Sequence, residues 1–385
     1  MNRTLRLLHT SDWHIGMTRR HLSESSRAVF LNSRVDAIER LCDIADDEAV
    51  DGMLVAGDVF DSAQLSPTIV LPLLELLGDV SCPVVLVPGN HDSYQYESVY
   101  RSTTFIQNKP DNVYVAEKPQ VLEIIPNCQL AVAPFTSRFP SHNPIFTAAE
   151  LFSDKNTEDY RVLVGHGGVD SFAPQMEDKD NSDVIASAEL EQLLTTRNID
   201  YVALGDRHST ASVGASQRIW YSGSPEVTDF DDVEKESGQA LLVTLSDDNC
   251  EVSRLRTGKW NFTTLHATVR CDDDLHRLDS QLHKLTRKNK RSVRLGLKAY
   301  LPVSGMAELE NYLHKWQNMF AGFQLWQRHS EQHTLPDDRD LDEYLGGYAK
   351  TAAQRLIKQA EAGDDVARDA LTMLYRMATE SGSRS

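Results

Sequence analysis

The chain has 385 residues, 41% apolar and 25% charged, the composition of an ordinary globular protein with room for one large domain and additions. Its net charge of −18 argues against a protein that coats nucleic acid by bulk electrostatics, because phosphate binding needs a basic face. No apolar stretch approaches membrane-spanning length. The five cysteines are scattered and never form Cys-x-x-Cys, which argues against a disulfide framework or a zinc ribbon and leads to the expectation of a cytoplasmic protein.

Along the chain, short apolar runs alternate with helical stretches. LRLLHTSD, MLVAGD (53–58), VVLVPGN (84–90), YRVLVGH (160–166) and YVALGD (201–206) predict buried strands, each short, apolar and closed by Gly or a polar residue. SSRAVFLNSRVDAIERLCDIADDE and SPTIVLPLLELLGDV, which separate the first three, carry apolar residues at helical spacing. The alternation predicts an α/β fold with helices covering a mainly parallel sheet. After Tyr201 the runs RIWYSGS, QALLVTL and CEVSRLRTG follow one another without helices, which predicts a second, antiparallel layer. From about His266 a strand, a helix, the strand SVRLGLKAYLPV and the helix MAELENYLHKWQNMF suggest a small α+β appendage. The end of the chain, from LDEYLGGYAK onward, is helical in pattern, with a frayed SGSRS tail. These boundaries divide the chain into 1–262, 263–335 and 336–385.

The chemistry lies where the apolar runs stop. SDWH brings Asp12 and His14, GDVFD brings Asp58 and Asp61, GNHD brings Asn90 and His91, GHGG brings His166, and GDRH brings Asp206 and His208. In an open α/β sheet the strand ends converge on one crevice, so distant chain positions become neighbours. A single Gly-Asp at a strand end is more often a turn or a helix cap than a ligand. Five in succession, all with carboxylate, imidazole or amide oxygen, point to borderline-to-hard divalent ions.

In this order D-x-H, G-D-x-x-D, G-N-H-D, G-H and G-x-x-H resemble the calcineurin-like metallophosphoesterases, and HTSDWHIG, GDVFDS and PGNHDS most resemble the SbcD-type nucleases of DNA double-strand-break repair. The resemblance covers roughly residues 5 to 245. It implies a metallophosphoesterase fold of two packed mixed sheets flanked by helices, with a small α+β capping domain and a C-terminal helical segment. It assigns one ion to Asp12, His14 and His208, makes Asp58 a bridge, and gives the second ion to Asn90 and His166. His91 would bind neither ion and would act as general acid, oriented by Asp61. Mn²⁺ is the expected metal, with Fe²⁺, Zn²⁺ or Mg²⁺ as alternatives. The family's final motif is Gly-His-x-His; here Asp206 stands where the second ion expects an imidazole, and Arg207 follows it.

The resemblance also implies DNA as substrate, an SMC-like coiled-coil ATPase of the SbcC type gripped by the C-terminal helices, and no membrane; a homodimer is compatible with it. The basic stretch 282–298, with Arg287, Lys288, Lys290 and Arg291, is read equally well as a phosphate-tracking patch or a solvated helix end. Two other functions stand beside the nuclease. One is a small-molecule or nucleotide phosphodiesterase, since fold and metal site do not set the substrate. The other is a weakly active structural or DNA-end-binding subunit, on the strength of Asp206.

Overall fold

The computed structural model describes residues 3–138, 141–152, 158–172, 184–247, 249–335, 347–361 and parts of 364–374. The chain divides into two compact units, Met1–Phe262 and Thr263–Ser385.

The first unit opens with β1 (Thr4–Thr10), α1 (Glu24–Asp47), β2 (Gly52–Ala56), α2 (Pro67–Gly78) and β3 (Val84–Val87). It continues through α3 (Thr103–Asn108), β4 (Val113–Val115), β5 (Gln120–Ile125), β6 (Cys128–Ala133), α4 (Ile145–Glu150) and β7 (Tyr160–His166). Then come α5 (Ser187–Thr196), β8 (Tyr201–Gly205), β9 (Ala211–Val213), β10 (Ile219–Tyr221), β11 (Gln239–Ser246) and β12 (Asn249–Arg256). They form two six-stranded sheets, β12-β11-β1-β2-β3-β4 and β5-β6-β7-β8-β10-β9. In the first, β1 to β4 run parallel and β11 joins β1 antiparallel. In the second, β6, β7, β8 and β10 are parallel, with β5 and β9 as antiparallel edges.

Each central strand is apolar on both faces because each face is covered. On β2, Met53 and Val55 pack outward with Ile38 and Leu41 of α1 and Leu73 and Leu77 of α2. Its alternate residues Leu54 and Ala56 turn inward onto Val132, Val164 and Ala203 of the second sheet. That sheet's outer face, with Leu163 and Leu204, packs on Ile145 of α4 and Leu190 of α5. The result is helix, sheet, sheet, helix.

Two details differ from the sequence expectation. QALLVTL and CEVSRLRTG do not build the second layer; as β11 and β12 they form an antiparallel hairpin that extends the first sheet beside β1. The second layer instead draws on β5 and β6, a hairpin that the strand-end pattern does not reveal. β6 ends on Ala133, with Phe135 just beyond, so it is a parallel strand whose end supplies no ligand.

In the second unit β13 (Asn261–Val269), α6 (Asp272–Lys284), β14 (Arg291–Pro302), α7 (Val303–Met319), β15 (Gly322–Leu325) and β16 (Glu331–Leu335) make a four-stranded sheet with two helices, and α8 (Gly347–Glu361) follows. The helical expectation for 336–346 and 375–385 lies outside the described residues. No helix among the described residues is long and apolar enough to cross a membrane.

Candidate metal centre

The loops that leave β1 and β2 run side by side, with Asp12 N donating to Gly57 O and His14 N to Asp58 O, both at 2.9 Å. This pairing holds Asp12, His14 and Asp58 in left-handed backbone at φ of 54°, 45° and 54°, and Asp206 lies at 101°. Such positions cost about 1 kcal/mol or more each and persist only where the surroundings over-determine them, as at functional sites. Gly57 meets the same demand with φ 93°, and a Cβ there would stand 2.0 Å from His166 Nδ1, so only glycine lets that ring lie against the first sheet.

Asp12, His14, Asp58 and His166 are buried, Asn90, Asp206 and His208 half-buried, and His91 exposed. Three sets of donor atoms lie within 4.8 Å of one another: Asp12, His14 and His208; His14, Asp58 and His91; and Asp12, Asp58 and His166. Asp206 Oδ1 is 3.7 Å from His166 Nε2. Arg207 turns to Phe172, its Cζ 4.2 Å from the ring centroid. Arg287, Lys288, Lys290 and Arg291 belong to the second unit, at the turn from α6 into β14.

Asp61 meets two of the histidines. Its carboxylate faces His14 Nδ1 at 3.3 Å, and it is the main-chain carbonyl that receives Nδ1–H of His91 at 3.2 Å. The cause is the pairing of Asp61 N with Ile15 O, which seats residue 61 beside the His14 loop.

Protons on the rings test whether a cation fits. His166 Nδ1 faces Ala56 O at 2.9 Å, and a carbonyl only accepts, so Nδ1 carries the hydrogen. Its Nε2 then faces Asn90 Oδ1 at 3.1 Å and Asp58 Oδ2 at 3.5 Å. Thr228 gives its hydroxyl hydrogen to Glu234, so its oxygen accepts from His208 Nδ1 at 2.6 Å and leaves His208 Nε2 bare. The Asp61 carboxylate, 3.3 Å from His14 Nδ1 without closing a geometric hydrogen bond, favours the hydrogen on that nitrogen by its charge. The two bare Nε2 atoms, of His14 and His208, oppose each other at 3.1 Å. Ligands about 2.1 Å from one ion lie roughly 3.0–3.4 Å apart, so facing lone pairs at this spacing fit a cation between them.

The field of the site agrees. Burial pushes the His166 imidazole down, but Asp58, then Asp206 and Asp12, outweigh it and hold the ring well above its usual value. Burial likewise raises the Asp58 carboxyl, yet His166, His14 and His91 keep it well below the usual carboxylate range. Burial dominates at Asp206 and lifts it above that range. Positive charge is what this cluster of carboxylates favours.

Further side chains orient the site, Asp92 from the GNHD strand end itself and Glu234 from a loop without that signature. Asp92 accepts from Gly89 N at 2.7 Å, Phe60 N at 3.2 Å and Tyr100 Oη at 2.6 Å, tying the GDVFD loop to the GNHD loop. Glu234, buried, accepts from Thr228 N and Asp229 N as well as the Thr228 hydroxyl. Glu234→Gln should therefore weaken metal binding by about 10–100-fold, because an amide can turn the Thr228 hydroxyl around and release the His208 ring. Titration calorimetry with Mn²⁺ measures this, with Thr228→Ser as the variant that keeps wild-type affinity; unchanged affinity in Glu234→Gln would show that the ring is oriented by other contacts.

Residues 5–210, more than half of the chain, match the family model of the calcineurin-like phosphoesterases. The SbcD component of the SbcCD nuclease of Escherichia coli K12 is 26% identical over 274 residues, covering 64% of this chain and 66% of that protein. Its Bacillus subtilis 168 namesake is 27% identical over 274 residues, covering 63% of this chain and 66% of that protein. The DNA double-strand break repair protein Mre11 of Methanosarcina acetivorans is 26% identical over 279 residues, covering 70% of this chain and 41% of its own length. The chain thus spans just under two thirds of the bacterial relatives it matches. With every strand-end motif of the site falling in the matched segment, the chain belongs to the calcineurin-like phosphoesterase family.

Proposed function

We propose that the protein is a two-metal phosphodiesterase that processes DNA ends, a repair nuclease working with an SMC-like coiled-coil ATPase of the SbcC type. The observation that carries the reading is the pair of bare ring nitrogens, His14 and His208 at 3.1 Å, beside the buried Asp12 carboxylate. In this reading Asp12, His14 and His208 hold one divalent ion, Asn90, His166 and Asp206 hold the other, and Asp58 is shared. When bound, the two ions, Mn²⁺ foremost, lower the pKa of a water and neutralise charge that grows on the phosphoryl group. The chain's own residues orient and protonate. Asp61 and the Thr228–Glu234 pair aim the imidazoles, and Ala56 O fixes the His166 tautomer. His91 commits Nδ1–H to Asp61 O, so Nε2 is the atom turned to the leaving oxygen, and it is the doubly protonated ring that would deliver a proton there.

The relatives named as part of the SbcCD nuclease and as a double-strand break repair protein support DNA as substrate and assembly with a partner. In the C-terminal segment Tyr348, Val366 and Met373 are exposed, 96%, 78% and 66%, which supports a covered rather than a solvated state for that segment. A small-molecule substrate draws support from a cavity of about 430 Å³ lined by Arg19, Phe172, Asp206, Arg207, His208 and Tyr221. Turnover with Mn²⁺ on linear duplex DNA and on bis(p-nitrophenyl) phosphate separates the readings. A nuclease hydrolyses both, a small-molecule enzyme only the ester. A protein that only binds ends hydrolyses neither, and that result would sink the proposal.

Asp206→His should tighten the second ion about tenfold, with equal or higher turnover. Asp206 Oδ1 stands 3.7 Å from His166 Nε2 where Asn90 Oδ1 stands at 3.1 Å, and imidazole reaches further than carboxylate. Gly168 leaves space on that side, since a Cβ there would lie 3.5 Å from Asp206 Oδ2. The change also removes a negative charge that opposes an incoming phosphate. Titrating metal against activity decides it; a weaker second site in the variant would mean that the centre has been rebuilt around Asp206.

A further inference from the structure

The sheet of the second unit has two unlike faces. β14 runs through its middle, flanked by β13 on one side and by β15 and β16 on the other. Its odd-numbered residues Val293, Leu295, Leu297, Ala299 and Leu301 are buried with Leu278, Leu309 and Trp316 of α6 and α7. The pleat turns Arg294, Gly296, Lys298 and Tyr300 to the opposite face. On β13, Leu265, Ala267 and Val269 pack in the same core, which sends Thr264, His266 and Thr268 to that opposite face as well.

Around Trp326 the side chains that gather are aromatic and basic. Arg294 stacks on Trp326, Cζ 4.3 Å from the ring centroid. His329 lies 3.8 Å from the same indole, and His266 lies 5.5 Å from it and 5.6 Å from His329, centroid to centroid. Both histidines are exposed. A Cβ on Gly296 would stand 2.7 Å from His266 Nδ1, so the absence of a side chain lets that ring lie across the strand. Further along, Tyr300 stacks on His333 at 5.4 Å. Glu331 lies at that end, engaged by Lys298 and the Tyr300 hydroxyl, and Asp369, paired with Arg270, is also near Tyr300. At the other end Arg294 reaches Thr264 on this face.

Cations and rings together on one face of a chain with net charge −18 are complementary to a polyanion that also offers flat π surfaces. In a duplex the bases are stacked on one another and unavailable to protein rings; in a single strand they are free. We infer that this open face binds single-stranded nucleic acid, with phosphates met by Arg294 and bases stacked on Trp326, His266 and His329. The inference rests on the reading of nucleic acid as substrate, but its test does not pass through hydrolysis.

Of the five tryptophans, Trp13, Trp220, Trp260 and Trp316 are buried, so fluorescence quenching by a bound base reports Trp326. The full chain is titrated in EDTA with short oligo(dT), following intrinsic fluorescence and the anisotropy of a labelled oligo(dT), and with a labelled duplex of equal length. Saturable quenching is expected. Arg294→Gln, His329→Ala and Trp326→Leu should each weaken oligo(dT) binding about tenfold. Trp326→Phe, which keeps a ring, should stay within about threefold of wild type and so controls for folding. Duplex affinity should be unchanged throughout. Oligo(dT) affinity that is absent in the wild type, or indifferent to all three variants, overturns the inference, and so does an equal loss for duplex. A protein inert toward phosphodiesters but passing this test would refute the nuclease reading and leave the binding face standing.

Discussion

Asp58→Asn should leave a folded protein that no longer hydrolyses phosphodiesters, with turnover down by at least about a thousandfold. Asp58 lies at the centre of the cluster, its Oδ2 3.5 Å from His166 Nε2 and 3.9 Å from His14 Nε2, so it is the carboxylate placed to serve both halves. The three imidazoles around it hold it ionised against its burial. An amide of the same shape keeps one oxygen but loses the charge, and its NH₂ turns donor hydrogens toward the place a cation would occupy. The fold should tolerate the change. Asp58 Oδ1 accepts from His91 N at 2.9 Å, which an Asn oxygen can also do, and asparagine is at ease at a φ of 54°. Thermal unfolding checks the first point, Mn²⁺ calorimetry and bis(p-nitrophenyl) phosphate turnover the second. Wild-type turnover in a folded, metal-supplemented variant would falsify the shared role of Asp58.

The site was legible where residue type and strand end coincide. Asp12, His14, Asp58, Asn90, His166, Asp206 and His208 each follow a short apolar run, and the parallel strands bring those ends together. What orients them was not legible. Thr228 and Glu234 lie in PEVTDFDDVEKE, which reads as a solvated acidic loop, yet Glu234 is buried against four groups of the site. Arg34 sits within the amphipathic α1 and reads as a surface residue. It is instead buried, donating to Trp13 O at 2.9 Å and Val227 O at 3.1 Å, so it joins the first ligand loop to the loop that bears Thr228. Burial lowers its pKa to about 10, which leaves it charged near neutral pH. The Arg34–Val227 bond links residues 193 positions apart, and no local pattern encodes it. β6 was missed for a related reason: its run ends in Ala133, and the ring just beyond it, Phe135, meets His166 edge-on at 5.7 Å rather than offering a ligand. A search for ligands at strand ends passes over a strand whose contribution is a wall.

His91→Ala should separate proton transfer from metal binding, keeping Mn²⁺ affinity while turnover falls by about a hundredfold or more. The geometry makes this a clean test. It is the main-chain N–H of residue 91, not its ring, that holds Asp58 Oδ1, and alanine retains that bond. The ring is exposed, so its removal opens no cavity. It stands edge-on to His14 at a centroid distance of 5.0 Å, close to the reacting centre without being enclosed by it. Its donor atom does come within 4.8 Å of those of His14 and Asp58, which is the arrangement a ligand would also adopt. Calorimetry distinguishes the two roles, for a ligand's loss costs an ion and an acid's loss does not. The leaving group supplies a second measure. An acid matters most when the departing alkoxide is basic, so the defect should be large on DNA and small on bis(p-nitrophenyl) phosphate, whose phenolate leaves without a proton. Equal defects on the two substrates, or loss of one ion, would move His91 from proton donor to ligand.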